Sequence, residues 1–112
     1  MDSMANTNTK NLTGKIALIT GASRGLGRAM ALSLSAAGAT IALAARDAEK
    51  LASVKAEIEA AGGKASTYIA NVVSEESVAQ LQAAVSKELG AVQILINNAG
   101  TNLRKNLTDF TL

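Results

Sequence analysis

The chain has 112 residues, a formal net charge of +2 and 48% hydrophobic residues, and it contains no cysteine or histidine. This length suits one small domain with an aliphatic core, while the missing side chains exclude a disulfide framework, a thiolate metal site and a histidine general base. The slight charge gives no indication of a nucleic-acid partner, and no apolar run approaches the ~20 residues of a membrane span.

The first eleven residues, MDSMANTNTKN, are polar and lack the apolar segment of a signal peptide. We predict that residues 1–11 form a disordered leader before a folded part in residues 12–112. Together with the composition, this N-terminus indicates a soluble cytoplasmic protein. We expect it to bind no metal and no nucleic acid and not to associate with a membrane.

The first predicted strand, Lys15–Thr20, is a short aliphatic run that ends at Gly21. A helix is predicted to begin at Gly25, because apolar residues then recur at every fourth position, and Gly38 is its stop signal. The apolar residues that this pattern assigns to the buried stripe of the helix are Leu26, Met30 and Leu34.

Two further strand–helix pairs and a last strand follow. The second and third predicted strands are Ala39–Ala45 and Lys64–Ala70, and the fourth is Val92–Ile96. Asp47 is the expected cap of the second helix, and Ser74 caps the third, which carries two Glu in the first turn, where the helix dipole favours acids. The predicted buried stripes of these two helices are Leu51, Val54 and Ile58, then Val78, Leu81 and Val85.

Three strand–helix units and a fourth strand predict an α/β fold, since such alternation produces parallel strands joined by crossover helices. Right-handed crossovers and a glycine-rich first turn indicate one half of a doubly wound parallel sheet, a Rossmann arrangement with the strand order 3-2-1-4. The same handedness puts the first two helices on one face of the sheet and the third helix on the other.

Three glycines, Gly21, Gly25 and Gly27, lie between the first predicted strand and the first predicted helix. A helix N-terminus carries unpaired N–H groups and partial positive charge, so it binds phosphate when glycines let the backbone approach. The pattern predicts a pyrophosphate cradle; the alternative is a tight turn whose glycines serve packing alone. A P-loop is excluded because Arg28-Ala29 follows the last glycine, and a methyl-donor site is disfavoured because Ala45 stands where it needs an acid.

Two motifs point to one family. Thr20–Gly27, TGASRGLG, matches the pattern T-G-x-x-x-G-x-G, and Asn97–Gly100, NNAG, follows the fourth predicted strand. With both motifs, the chain resembles the short-chain dehydrogenases/reductases, which include 3-oxoacyl-carrier-protein reductases and sugar or sugar-acid dehydrogenases. The resemblance covers Leu12–Leu112 and implies the cofactor-binding part, incomplete at its C-terminus, of an enzyme that transfers hydride between NAD(P) and a small carbonyl or alcohol substrate. It also implies a homo-oligomeric parent.

The end of the second predicted strand selects the coenzyme, because a carboxylate there bonds the adenosine ribose hydroxyls and repels a 2′-phosphate. Ala45 occupies that position and Arg46 follows it. The resemblance brings Arg24 of the glycine turn to the same ribose, where two guanidiniums can clamp one phosphate. We predict NADP, with NAD as the alternative that Asp47 leaves open. The structural alternatives are a solvated Arg46 and an Asp47 that is simply a helix cap.

The resemblance also assigns the remaining cofactor contacts. Asn71-Val72 are expected at the adenine, Asn97 is expected to tie the central strands together, and residues 98–100 are expected along the ribose and nicotinamide. A loop Asn at position 71 and an ordinary turn Gly at position 100 are the alternatives without a ligand. The complete expected cofactor-binding set is Gly21, Ser23, Arg24, Gly25, Leu26, Gly27, Arg46, Asn71, Val72, Asn98, Ala99 and Gly100.

Catalysis in this family uses a Tyr, a Lys four residues later, and assisting Ser and Asn side chains. Tyr68 is the only tyrosine here, and Val72 stands four residues after it. Tyr68 is therefore expected in the core or on a sheet face, no catalytic residue is assigned, and the catalytic Ser, Tyr and Lys are expected beyond Leu112. The tail TNLRKNLTDF, residues 101–110, is more similar to sugar-acid dehydrogenases, or it is a solvated segment. Two hypotheses stay open: part of an NADP-dependent enzyme, inactive by itself, or a non-catalytic nucleotide-binding module.

Overall fold

The structure is a computed structural model that describes residues 11–23, 25–71 and 74–98. Three strand–helix units and a fourth strand follow one another in this part of the chain, and their bounds differ from the predicted ones by one or two residues at each strand. The elements are β1 (Ile16–Thr20), α1 (Gly25–Ala36), β2 (Thr40–Ala45), α2 (Ala48–Ala60), β3 (Lys64–Ile69), α3 (Glu75–Leu89) and β4 (Ile94–Asn97).

The four strands form one parallel sheet in the order β3-β2-β1-β4, which confirms the predicted order and the α/β fold. Thr20, the last residue of β1, lies opposite Ala44 of β2 and Asn97 of β4. Ala45, the last residue of β2, lies opposite Ile69 of β3. Because the strands are parallel, their carboxyl ends share one edge of the sheet, which is the edge where open α/β sheets bind ligands.

The two faces of the sheet bury separate clusters of side chains, since successive strand residues point to opposite faces. Helices α1 and α2 cover one face and α3 covers the other, as the crossover handedness predicts, and the predicted stripes of α2 and α3 are buried. The first cluster contains Ala17, Ile19, Ala22, Ala31, Ala39, Ile41, Leu43, Ala45, Leu51, Val54, Ile58, Ile94 and Ile96. The second contains Leu18, Ala42, Ala44, Val78, Leu81 and Val85.

The predicted stripe of α1 is wrong at its first residue. Leu26 is 61% exposed, and the buried residues of this helix are Gly27 and Ala31. These small residues let the backbone of α1 lie close to the sheet, so that Met30 and Leu34 flank the line of contact and are half-buried. A four-residue repeat also drifts about 40° around the helix at each step, which turns the first residue of the pattern away from the sheet.

Side-chain caps begin the other two helices at the predicted residues. Asp47 accepts a hydrogen bond of 3.1 Å from the backbone N–H of Lys50 at the start of α2. Ser74 Oγ accepts one of 3.1 Å from the N–H of Ser77 at the start of α3, and Ser77 Oγ accepts one of 2.9 Å from the N–H of Ser74. Both caps satisfy N–H groups that a helix cannot pair internally, which fixes where each helix starts.

Within the ranges that the structure describes, no helix is long and apolar enough to cross a membrane. In the same ranges, no three acidic, histidine or cysteine side chains come together in an arrangement that could hold a metal ion.

Candidate cofactor-binding site

The glycine turn between β1 and α1 depends on two left-handed backbone positions. Gly21 has φ 64° and Gly25 has φ 62°, a region that costs residues with a Cβ about 1–2 kcal/mol. A Cβ built on Gly25 would meet no atom within 4 Å, so the first turn of α1 is open on that side. The two glycines therefore reverse the chain at the carboxyl edge of the sheet and leave space beside the helix start.

Gly27 serves a different purpose, which is close packing. A Cβ at this position would overlap the carbonyl oxygen of Gly21 and would lie 3.0 Å from Nδ2 of Asn98. The first turn of α1 thus packs directly on the turn that precedes it and on the residue that follows β4. The structure brings three residues of the predicted site together here: Gly21, Gly27 and Asn98.

Thr20 connects the same two segments by its side chain, a role that no pattern in the sequence indicates. Its hydroxyl donates a hydrogen bond of 2.8 Å to Oδ1 of Asn97 and accepts one of 2.8 Å from the backbone N–H of Asn98. Thr20 is completely buried. The signal for this role is that Thr20 lies opposite Asn97, the first residue of NNAG, in the β1–β4 register. That register can be inferred only once the strand order is known. The expected tie between the central strands through Asn97 is present, and Thr20 is its partner.

The end of β2 presents a cation. Ala45 is buried, whereas Arg46 is exposed and forms no ion pair within the described ranges. The carboxylate of Asp47 accepts the N–H of Lys50, as the helix-cap alternative requires. The positive side chain is therefore available to solvent at this edge, while the neighbouring carboxylate is bonded to the start of α2.

The end of β3 presents an amide side chain beside the end of β2. The backbone N–H of Ala70 donates a hydrogen bond of 2.9 Å to the carbonyl of Ala45, which extends the ladder one residue past β3. Asn71 follows and is exposed. Its backbone therefore leaves the sheet at the carboxyl edge, next to the residue that precedes Arg46.

The rest of the predicted set is divided between described and undescribed positions. Ser23 is half-buried in the glycine turn, and Leu26 is exposed in the first turn of α1. The other predicted residues lie outside the described residues: Arg24, Val72, Ala99 and Gly100. The first turn of α1 contains no acidic residue, in contrast to the first turns of α2 and α3, so no side-chain charge there opposes an anion.

Two side-chain bonds beside the site join residues that no local pattern links. Arg28, in the first turn of α1, forms a two-pronged ion pair with Glu57 of α2, with Nε 3.0 Å from Oε1. The carboxylate raises the pKa of Arg28 through the hydrogen bond and its charge. This ion pair orients the first turn of α1 against α2. The guanidinium of Arg28 is thereby paired with a carboxylate.

Tyr68 lies on the α3 face of the sheet, where its ring packs against the second cluster. Its hydroxyl donates a hydrogen bond of 2.7 Å to Oε1 of Glu88. Partial burial, followed by this hydrogen bond and the carboxylate charge, raises the pKa of Tyr68 to about 12. The packing of the ring against the second cluster agrees with the prediction of a residue in the core or on a sheet face.

Comparison with known proteins identifies the family. A family model described as short chain dehydrogenase matches residues 15–112. The chain belongs to the short-chain dehydrogenase family. It is 43% identical over 101 residues to gluconate 5-dehydrogenase from Gluconobacter oxydans (strain 621H) and 43% identical over 96 residues to a fatty acyl-CoA reductase from Acinetobacter baylyi (strain ATCC 33305 / BD413 / ADP1). These matches cover 90% and 86% of this chain but 40% and 32% of the relatives.

A solved structure supports the same assignment. The crystal structure of a metagenomic short-chain oxidoreductase in complex with NADP matches with a TM-score of 0.73 and 42% identity, over 80% of this chain and 40% of that one. The chain therefore corresponds to an N-terminal part of the family's oxidoreductases and spans about a third to two-fifths of the length of the curated relatives named above. The resemblance found in the two motifs is confirmed.

Proposed function

We propose that this chain is the coenzyme-binding part of an NADP-dependent oxidoreductase that acts on a small carbonyl or alcohol substrate. The observation that carries the proposal is the end of β2, where Arg46 is exposed and the carboxylate of Asp47 is bonded to Lys50. One oxygen of this carboxylate is occupied by the start of α2, which favours the helix-cap role over a ribose contact, and an exposed guanidinium is a strong phosphate partner.

The glycine turn supplies the site for the pyrophosphate. The left-handed Gly21 and Gly25 aim the start of α1 at the carboxyl edge, and the space beside Gly25 allows close approach. The unpaired N–H groups and partial positive charge of a helix start favour an anion there. In this proposal Asn71 holds the adenine edge, the segment from Asn98 to Gly100 lines the nicotinamide side, and Arg24 joins Arg46 at the 2′-phosphate.

When bound, the nicotinamide supplies the hydride, and a proton donor must serve the substrate oxygen. Tyr68 does not suit that second role, because its hydroxyl is engaged by Glu88 on the α3 face and its pKa is raised to about 12. We propose that the catalytic Ser, Tyr and Lys lie beyond Leu112 in the parent protein, which we expect to be a cytoplasmic homo-oligomer, and that residues 1–112 alone reduce no substrate. We include a sugar acid and a fatty acyl compound among the candidate substrates, because gluconate 5-dehydrogenase and the fatty acyl-CoA reductase match with the same 43% identity.

A matched pair of charge reversals tests the coenzyme in the complete protein. Arg46→Glu should weaken NADPH binding by about 10- to 100-fold, the range expected for losing a charge-assisted bond to phosphate, and should leave NADH binding within a factor of about two. Lys64→Glu makes the same charge change at the amino end of β3 and should alter neither coenzyme. The measurement is nicotinamide fluorescence in titrations of both coenzymes. Equal losses for NADPH and NADH in the first variant would contradict the proposal.

The competing function is a nucleotide-binding module without catalysis. It shares the coenzyme site, so the binding experiment does not separate the two functions. Turnover does: consumption of NADPH by the complete protein with a panel of sugar-acid ketones, aliphatic ketones and aldehydes supports the enzyme. Tight NADPH binding with no turnover of any substrate in the panel supports the module.

A further inference from the structure

The hydrogen bond between Tyr68 and Glu88 closes a loop of chain that contains a predicted coenzyme contact. It joins residues 20 positions apart, one near the end of β3 and one in the last turn of α3. The segment between them includes Asn71 and the whole of α3 up to Glu88. We refer to this bond as the Tyr68–Glu88 clasp.

The clasp matters because the buried side chains of α3 are covered less completely than those of α2. The buried residues of α3 are Val78, Leu81 and Val85, of which the first two keep 8% exposure, whereas the three buried residues of α2 keep 2% or less. Within the described ranges, β3 pairs with β2 alone. A bond from β3 directly to α3 therefore joins the end strand of the described sheet to the more loosely packed helix.

The clasp also stands close in sequence to the residue that leaves the sheet at the carboxyl edge. The β2–β3 ladder ends with the bond from Ala70 to Ala45, and Asn71 comes directly after it. Tyr68 is three residues before Asn71, so the clasp holds the strand end from which Asn71 leaves the sheet against α3.

We propose that Tyr68 is a positioning residue for the adenine half of the coenzyme, which it serves by holding the end of β3, from which Asn71 follows, against α3 through Glu88. This inference rests on the proposed function, since it requires a dinucleotide at the carboxyl edge. Tyr68 itself touches no ligand in this proposal. Its effect is confined to the adenine half, because the nicotinamide half is assigned to the segment after β4, on the far side of β1 and β2 from β3.

Two ligands that each represent half of the coenzyme separate positioning from a general loss of structure. In the complete protein, Tyr68→Phe should weaken binding of 2′,5′-ADP by about three- to tenfold, part of what a bond to a charged acceptor contributes. It should leave binding of reduced nicotinamide mononucleotide unchanged. Ser66→Ala removes a hydroxyl from the same face of the same strand and is the matched control, with no expected effect on either ligand. The measurement is calorimetric titration.

Variants of the acceptor test the clasp from the other side without altering the strand. Glu88→Ala should reproduce the loss of Tyr68→Phe, Glu88→Gln should keep most of the wild-type affinity because it retains an acceptor oxygen, and Tyr68→Phe combined with Glu88→Ala should lose no more than either alone. Equal losses for both half-ligands, or a full affinity for 2′,5′-ADP in Tyr68→Phe, would overturn the inference while leaving the proposed function standing. A wild-type protein that binds neither half-ligand would overturn the proposed function, and this inference with it.

Discussion

Thr20 Oγ1 and Asn97 Oδ1 lie 2.8 Å apart across the β1–β4 register, in a hydrogen bond that the threonine donates. The same hydroxyl oxygen accepts the backbone N–H of Asn98 at 2.8 Å. One buried side chain thereby fixes the end of β4 and the first residue after it to the start of the glycine turn. The two motifs that lie far apart in the sequence are therefore one structural unit.

The first prediction follows from these two hydrogen bonds of the Thr20 hydroxyl. Thr20→Val keeps the shape of the side chain but leaves the carbonyl of the Asn97 side chain and the N–H of Asn98 without that partner, and we expect a loss of about 1–3 kcal/mol in the free energy of unfolding. Thr20→Ser keeps the hydroxyl and loses a methyl group, so its loss should be smaller, about 1 kcal/mol. Urea unfolding of the complete protein measures both. A Ser variant less stable than the Val variant would show that packing, and not hydrogen bonding, is the role of Thr20.

Much of the fold was predictable because its signals are local. The apolar stripes of α2 and α3 and their caps at Asp47 and Ser74 depend on residues within one helix, and each is present as predicted. Leu26 was assigned wrongly because hydrophobic periodicity treats Gly27 and Ala31 as weak residues. In the structure their small size is what brings α1 onto the sheet.

The contacts of the candidate site were harder to predict because they join separate elements. The partners of Thr20 are 77 and 78 residues away, and Arg28 meets a carboxylate 29 residues away. Such contacts can be predicted only when the relative placement of two elements is known, and neither residue spacing nor secondary-structure propensity gives that placement. The glycine motif was an exception, since it can be recognised from a strand and a helix that are adjacent in the sequence.

The second prediction concerns Asp47, whose carboxylate caps α2 beside Arg46. Asp47→Ala removes the cap, which should cost about 0.5–2 kcal/mol of stability, and should weaken NADPH binding severalfold by loosening the first turn next to Arg46. Asp47→Ser keeps a capping oxygen but is too short to reach a ribose, so it should retain both stability and NADPH affinity.

Binding of NADH decides between the cap and a ribose contact in the same two variants. If Asp47 acts as a cap, Asp47→Ser binds NADH as the wild-type protein does. If Asp47 instead bonds the adenosine ribose, both variants lose NADH affinity to the same extent, and that result would count against NADP as the coenzyme. Fluorescence titration and thermal unfolding of the two variants supply the comparison.

The third prediction concerns the pH dependence of stability. Burial and the bond to Glu88 raise the pKa of Tyr68 from 10.0 to about 12. A folded-state pKa above the unfolded value means that the contribution of this group to stability is fully present below pH 10.0 and is lost as the pH rises to about 12. Ultraviolet absorbance of the phenolate reports on this side chain alone within residues 1–112, because Tyr68 is their only tyrosine.

Titration of the 112-residue chain with and without its acceptor checks the cause of the shift. In Glu88→Ala the phenol loses its partner and the nearby charge, so the midpoint should fall, although burial, the largest cause, should keep it above 10.0. Lys87→Ala, the neighbouring change in α3, should leave the midpoint unchanged. A wild-type midpoint at 10.0 would mean that the Tyr68–Glu88 bond does not form in solution.

The last prediction concerns self-association of residues 1–112 when expressed alone. Within the described ranges β4 pairs with β1 only, and it lies at an end of the sheet. Ile94 and Ile96 are buried on the face that α1 and α2 cover, so few large aliphatic side chains of β4 are exposed to destabilise the fold. We therefore expect β4 to pair with another chain through its free backbone edge and do not expect the chain to unfold. Leu95 is half-buried on the α3 face along the same edge. Edge strands with apolar side chains pair with other chains, and a lysine opposes this.

We therefore expect dimers or larger species by light scattering, with protected amides in residues 94–97. Leu95→Lys should shift the population to monomer. Ile69→Lys, which places the same charge on an exposed residue of β3 at the other end of the described sheet, should not. A wild-type monomer with a cooperative melt and fully protected β4 amides would contradict the prediction, and a larger effect of Ile69→Lys would assign the association to the β3 end.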